Sequence, residues 1–337
     1  MNAPKTWRPR LAPGTAPVLV VLVALLLALA FAGPAYSEPA GWLALLKRAA
    51  PLVILAIGQY FVIVSGGFDL SVGSLVTAQV VIAARLIDGQ ESATAWVLML
   101  LLGLGALVGL VNGLITTQLM VPSFIVTLGM LLVLDGAVFL WSGGAPRGAL
   151  SEGFRVLGRE GADLPLIGTL PWSVVVLLVV LAGAVLFMRS GTGRTLIAIG
   201  DNETAVHLAG GRVARLRLLA FVLSGVLAAV AAIVLGGFAG VSAQVGQGLE
   251  FRAITAVVLG GVLLGGGRGS VVAAAAGALS LEALFSLLNL LGVSGALESA
   301  VQGAIIIAAV AYASLGSGER LRVRGRRDVA GVAPAPH

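Results

Sequence analysis

Apolar runs alternate along this chain with short clusters of glycine, proline, hydroxyls and charge, and each run approaches the roughly 20 residues of a bilayer span. Ten helices are predicted, at about 16–33, 49–66, 71–87, 94–119, 122–141, 170–188, 217–239, 252–266, 270–291 and 296–315. The first also fits a signal peptide, because Lys5, Arg8 and Arg10 precede it and small residues end it. Its length and the lack of a sharp cleavage pattern favour a span. The expected fold is all-α: a polytopic membrane protein with about ten transmembrane helices, some discontinuous, and both termini cytoplasmic. It divides into an N-terminal segment 1–15, a membrane domain 16–315 containing a cytoplasmic loop 189–216, and a basic tail 316–337.

Orientation follows from the basic residues, which concentrate in cytoplasmic loops. With the N-terminus inside, 14 of the 21 fall on that face: Lys5, Arg8 and Arg10; Arg189, Arg194, Arg212, Arg215 and Arg217; Arg268; and Arg320, Arg322, Arg324, Arg326 and Arg327. On the other face Arg147, Arg155 and Arg159 are offset by Glu152, Glu160 and Asp163.

Composition narrows the function. Charged residues make up 11% of the chain, against about 25% in soluble domains, and hydrophobic ones 58%. A soluble enzyme, a nucleic-acid partner and a disordered chain are excluded, and the net charge of +6 is dispersed or end-loaded. The 47 glycines are about twice the usual share of ~7% and suit close backbone packing in lipid. With no cysteine and two histidines, His207 and His337, no metal site, cofactor or catalytic set is expected.

Three segments break the apolar pattern. Ser65-Gly66-Gly67-Phe68-Asp69-Leu70-Ser71-Val72-Gly73-Ser74 puts an acid and several hydroxyls where a helix would continue. It reads equally as a capped turn and as a discontinuous helix lining a transport path. In the second, Asn112 and Val121 to Met130, Pro122 is expected at a helix start, and Asn112 and Thr127 in bonds between helices. Asp135, in the same run, should face the interior or a polar interface. In the third, 189–216, Asp201 or Asn202 caps a short helix with Glu203 in its first turn and Gly210 as its stop. Ala205, Leu208 and Ala209 share one side of that helix, either on the membrane surface or as a contact for a partner. Glu298 reads as a helix N-terminal charge, whereas Glu282 has no nearby base in sequence. A weak repeat relates 66–74 to the glycine-rich segment ending at Ser270; both fall on one side, which argues against simple inversion.

These segments resemble the permease subunits of bacterial ABC importers for monosaccharides such as ribose, xylose, arabinose and galactose. GGFDLSVGS at 66–74 is similar to that family's Gly-Gly-Ile-Asp-Leu-Ser-Val-Gly-Ser, with Phe68 replacing the aliphatic residue. VPSFIVTLGM at 121–130, the 193–213 loop and GQGLEFRAITAVVLGGVLLGGGRGSV at 246–271 resemble three further motifs in the same order. The resemblance implies two ATP-binding cassette ATPase subunits, a periplasmic substrate-binding protein, a second permease copy or a paralogous one, and surrounding lipid in the inner membrane. It implies that the permease is not itself an ATPase, and the chain carries no phosphate-binding Gly-x4-Gly-Lys-Ser/Thr loop.

Gly66, Gly67, Asp69, Ser71, Gly73, Ser74, Asn112, Pro122, Phe124 and Thr127 become candidates for the path. Gly200, Asn202, Glu203, Ala205, Leu208 and Gly210 become candidates for the ATPase-coupling loop, and Glu250 and Arg252 for the binding-protein side. Leu249 stands where an aromatic is common and Arg252 where an acid is common, so the substrate stays open between a pentose or hexose and a ligand such as autoinducer-2. An ion-coupled transporter would instead need Asp69, Asp135 and Glu282 as its relay. A membrane enzyme would need a convergent set that the chain does not offer.

Overall fold

A computed structural model describes residues 15–308 except 166, 167, 294 and 296, together with Ala311. The expected N-terminal segment and basic tail lie essentially outside the described residues. The helices are α1 (Thr15–Ala32), α2 (Pro39–Val64), α3 (Val72–Ile87), α4 (Glu91–Gln118), α5 (Ser123–Ser142), α6 (Glu152–Arg159), α7 (Trp172–Arg189), α8 (Gly191–Asp201), α9 (Glu203–Leu208), α10 (Val213–Ala239), α11 (Leu249–Leu259), α12 (Val271–Leu290) and α13 (Leu297–Ala308). Among the described residues seven helices, namely α1, α2, α4, α5, α7, α10 and α12, are long and apolar enough to cross a membrane; α3, α11 and α13 are shorter. At 1.5 Å per residue, α11 covers about 16 Å, roughly half of a ~30 Å hydrocarbon layer. It is a half-helix, and 240–248 re-enters beside α3, with the Gly246 N–H donating to Thr77 Oγ1 at 3.0 Å.

A helix lies at each of the ten predicted positions, but three of them fall short of a span among the described residues, the end of the tenth prediction lies outside those residues, and several bounds need correction. α2 begins ten residues before the expected 49, so Lys47 and Arg48 are helical. α10 begins at Val213, which moves Arg215 and Arg217 from the loop onto its first turns. Pro122 caps α5 from outside at φ −52 and ψ 130 and is not its first residue. Among the described residues the one departure to strand is a small antiparallel hairpin, β1 (Gly161–Leu164) and β2 (Gly168–Pro171), in the segment between α6 and α7.

α2 lies at the centre, buried from Ala49 onward and packed on α7, α10, α11 and α12. Along α4, Gly105, Gly109 and Gly113 recur every fourth residue; the first two meet Gly225 and Phe221 of α10 backbone to backbone, and Gly113 meets Leu218. α1 covers α12, while α5 leaves Leu132, Val133, Phe139 and Leu140 exposed.

The two ends of the bundle differ. One carries 65–71, α8, α9 and the 260–270 loop, with Arg189, Arg194, Arg212, Arg215, Arg217 and Arg268. The other carries α6 and the hairpin, where Ser151 caps α6 and Phe154 is buried beside Gly236.

Candidate functional site

All four sequence motifs converge on the stretch that joins α2 to α3. Asp69 is 1% exposed and fully engaged. One carboxylate oxygen accepts from the Ser71 N–H at 3.1 Å and the Ser71 hydroxyl at 2.6 Å; the other accepts from Ser224 of α10 at 2.9 Å. Asn112 of α4 donates to the Ser71 hydroxyl at 2.9 Å. With its amide oriented to satisfy both groups, Gln59 of α2 donates to the Asp69 carbonyl at 3.0 Å and accepts from the Asp69 N–H at 3.3 Å. One buried acid thus joins three helices and holds an unwound segment that lipid would not tolerate alone.

The start of α5 clamps the same stretch. The Phe68 N–H donates to the Ser123 hydroxyl at 3.0 Å, and the Thr127 hydroxyl donates to the Phe68 carbonyl at 3.3 Å. Asn112 and Thr127 thus bond to the unwound stretch between α2 and α3, where bonds from helix to helix were expected. From the other side come the two glycine-rich motifs. A side chain on Gly200 would strike the Val64 carbonyl and the Gly267 N–H, and one on Gly266 would sit 2.8 Å from the Gly66 nitrogen. The two segments of the weak repeat lie against each other.

Cavities lie on either side of the Phe68–Thr127 contact. Towards the hairpin end, a cavity of about 270 Å³ is lined by Ser74, Thr77, Leu131, Asp135, Val138, Phe139, Gly144, Ala243, Gln244, Gln247 and Glu250. Towards the α8–α9 end, a cavity of about 760 Å³ is bounded by Ser65, Gly66, Gly67, Thr116, Thr117, Met120 to Ser123, Glu203, His207, Gly211 to Arg215, Arg217 and Phe221. Among the described residues no group of three or more histidines, aspartates and glutamates is placed to hold a metal.

Residues 41–310 match the family described as the permease component of the branched-chain amino acid transport system. The chain belongs to this permease family. It is a multi-pass membrane protein and a transport permease. It is 34% identical over 295 residues to the ribose import permease protein RbsC of Escherichia coli K12, covering 87% of this chain and 91% of that protein. It is 35% identical to RbsC of Bacillus subtilis 168, covering 87% and 88%. It is also 37% identical over 241 residues to the autoinducer 2 import system permease protein LsrC of Enterobacter sp. 638, covering 71% and 68%. No solved structure gives a significant match.

In this permease the predicted site residues separate by location. Gly66, Gly67 and Pro122 line the larger cavity and Ser74 the smaller one. Asp69, Ser71 and Asn112 are sealed in the polar network, and Phe124 is exposed at the start of α5. A side chain on Gly73 would strike the Glu250 carboxylate and sit 2.7 Å from the Gly246 carbonyl oxygen. Glu250, taken with Arg252 for the binding-protein side, is 7% exposed in the wall of the smaller cavity. Arg252 instead pairs with Glu298 at 3.3 Å and lies 4.9 Å from the Phe285 ring centroid. Glu282, which lacked a base in sequence, has Arg48 of α2 at 3.9 Å.

The short helix expected between the 202 cap and Gly210 is α9. Asn202 caps it by accepting from the Ala205 N–H at 2.9 Å, Glu203 opens it, and Gly210 turns the chain at φ +79. Gly200 supplies the close contact beneath, and Leu208 is 82% exposed.

Sequence reasoning missed Gln59, Ser224, Thr77, Gln244 and Gln247. The first two are single polar residues in long apolar helices, a pattern that flags an interhelical bond without naming its partner. The glycine spacing of α4 was a readable signal for its seam with α10.

Proposed function

We propose that this permease is the membrane subunit of an ATP-driven importer and passes a small polyhydroxylated solute, a monosaccharide or a molecule of similar size and polarity, between its two cavities. The carrying observation is the smaller cavity, where hydroxyls, side-chain amides and two carboxylates face a space below the size of most ligand pockets. Such groups hydrogen-bond a neutral polyol at many points, and the relatives named for ribose and autoinducer-2 import support that class. In this reading the α8–α9 end is cytoplasmic, in keeping with its six arginines. The path runs past Ser74 and Thr77, the Phe68–Thr127 contact and Gly66–Gly67.

The energy comes from partners. Two ATPase subunits dock on α9 of each permease in a pair, and a periplasmic protein delivers the solute at the hairpin end. Leu208 and its neighbours Ala205 and Ala209 offer the apolar contact. The exposed face of α5 meets a second permease copy or lipid.

The test is co-purification followed by uptake. Wild type should retain an ATPase subunit and, in vesicles supplied with the binding protein and ATP, accumulate radiolabelled ribose, with autoinducer-2 as competitor. Leu208→Asp should abolish ATPase retention while leaving the melting temperature of the isolated permease unchanged, because Leu208 is almost fully exposed. A wild-type chain that retains no ATPase, or a Leu208→Asp chain that retains it fully, would falsify the docking assignment. Uptake that neither sugar nor autoinducer-2 supports would refute the solute class.

A further inference from the structure

The last four carbonyls of a helix have no intrahelical donors, and at a buried end each needs one from elsewhere. At the end of α2 two are satisfied locally. The Val62 carbonyl accepts from Ser65 and Gly67 at 3.2 and 3.0 Å, and the Ile63 carbonyl accepts from Gly66 at 2.9 Å. The other two are closed from distant elements. The Gly267 N–H donates to the Val64 carbonyl at 2.9 Å, and Arg217 Nε of α10 donates to the Ser65 carbonyl at 3.2 Å.

The same guanidinium grips α9. Its Nη1 donates to Glu203 Oε1 at 2.9 Å, and its Nη2 lies 2.8 Å from Oε2. A two-point fork of this kind fixes direction as well as distance, which a single ammonium cannot do. Glu203, Arg217 and the Ser65 carbonyl therefore form one continuous line of bonds from α9 to the point where α2 unwinds. That point is hinge-like: Gly66, the next residue, has φ +88, which disfavours a side chain.

We propose that Arg217 is the positioning residue that transmits displacement of α9 to the Ser65–Ser71 stretch. When α9 moves, Glu203 carries the guanidinium with it, and the Ser65 carbonyl follows. The segment between the two cavities is thereby coupled to whatever docks on α9. The inference rests on the reading that α9 receives the ATPase, and it names the bonds through which that contact acts.

The chain has no cysteine, so one engineered cysteine is the sole thiol of the permease, whose labelling is read on its own gel band. Gln247→Cys reports on the smaller cavity and Thr117→Cys on the larger. In the full complex with ATPase and binding protein, labelling by a membrane-impermeant maleimide is measured with and without a non-hydrolysable ATP analogue. The analogue should shift labelling at the two positions in opposite senses. Arg217→Ala and Glu203→Gln should shrink that shift by about tenfold, within the range of site-to-site coupling, while the ATPase stays bound. Arg217→Lys should give an intermediate shift, and Arg189→Ala, at the same end but outside the line of bonds, the full one. A full shift in Arg217→Ala overturns the proposal. So does loss of ATPase from both Arg217→Ala and Glu203→Gln, because the pair would then hold the interface and not the link. A wild-type chain that binds no ATPase refutes the proposed function and this inference with it.

Discussion

Gly225→Ala should destabilise the permease far more than one methyl group suggests. A Cβ on Gly225 falls on the Gly105 carbonyl oxygen and lies 3.0 Å from the carbonyl carbon and 3.2 Å from the Gly109 nitrogen. Carbon atoms prefer about 3.5–4.0 Å, so α4 and α10 must part by roughly 0.5–1 Å. That movement acts on the adjacent residue, because the Ser224 hydroxyl donates to the buried Asp69 carboxylate at 2.9 Å. Opening by that amount stretches the bond to roughly 3.4–3.9 Å, weakening or breaking it. Overpacking costs about 1–3 kcal/mol and a lost bond to a buried charged group about 1.5–3 kcal/mol. The expected total is roughly 2.5–6 kcal/mol. Thermal unfolding in detergent measures it, with Gly103→Ala as the internal control: nothing lies within 4 Å of a Cβ there, and replacing glycine in a helix gains up to ~1 kcal/mol. Adding Ser224→Ala to Gly225→Ala should cost less than the sum of the two, because both act through one bond. Equal melting temperatures for Gly225→Ala and Gly103→Ala, or strict additivity with Ser224→Ala, would refute the reasoning.

Two further outcomes follow from local bonding. Asp69→Ala removes the acceptor for Ser71 and Ser224 together and should cost about 3–5 kcal/mol of stability. Asp69→Asn keeps one acceptor oxygen and can donate to Ser224, so it should cost less than half as much by the same unfolding assay. Ser151→Ala removes the side-chain cap of α6, which accepts from the Phe154 N–H at 3.2 Å, and also the 2.6 Å contact with the Thr94 hydroxyl. A loss of about 1–2 kcal/mol is expected, with faster proteolysis of the segment around α6 than of α8–α9.

Much of the fold was legible because lipid restricts what a chain can do. Spans must be apolar and helical, so their existence and order follow from hydropathy. α9 was legible for a local reason, since cap, first-turn acid and terminal glycine lie within nine residues. The departures come from long-range contacts. α11 is a half-helix because 240–248 packs closely on α3, where the Gly246 N–H finds the Thr77 hydroxyl, which no periodicity encodes. Glu282 looked isolated because its base, Arg48, lies 234 positions away in sequence. The smaller cavity was only partly legible: Ser74 and Asp135 were singled out, but Gln244 and Gln247 reach it by re-entry of their loop.

The same bonding argues against ion-coupled transport. A proton or cation relay needs acids that share a route and keep coordination free for the ion. Asp69 has both oxygens occupied by three donors and is sealed from either cavity. Glu282 lies in a different cavity, of about 470 Å³, beside Arg48, Arg252 and Glu298, where opposite charges already face one another. Only Asp135, of the three acids such a mechanism requires, lines the space between α3, α5 and the re-entrant loop, and its acidic neighbour there is Glu250. The three are built into three separate places. Their arrangement supports a path whose direction is set from outside the chain, through the end of α2 that Arg217 and Gly267 hold closed.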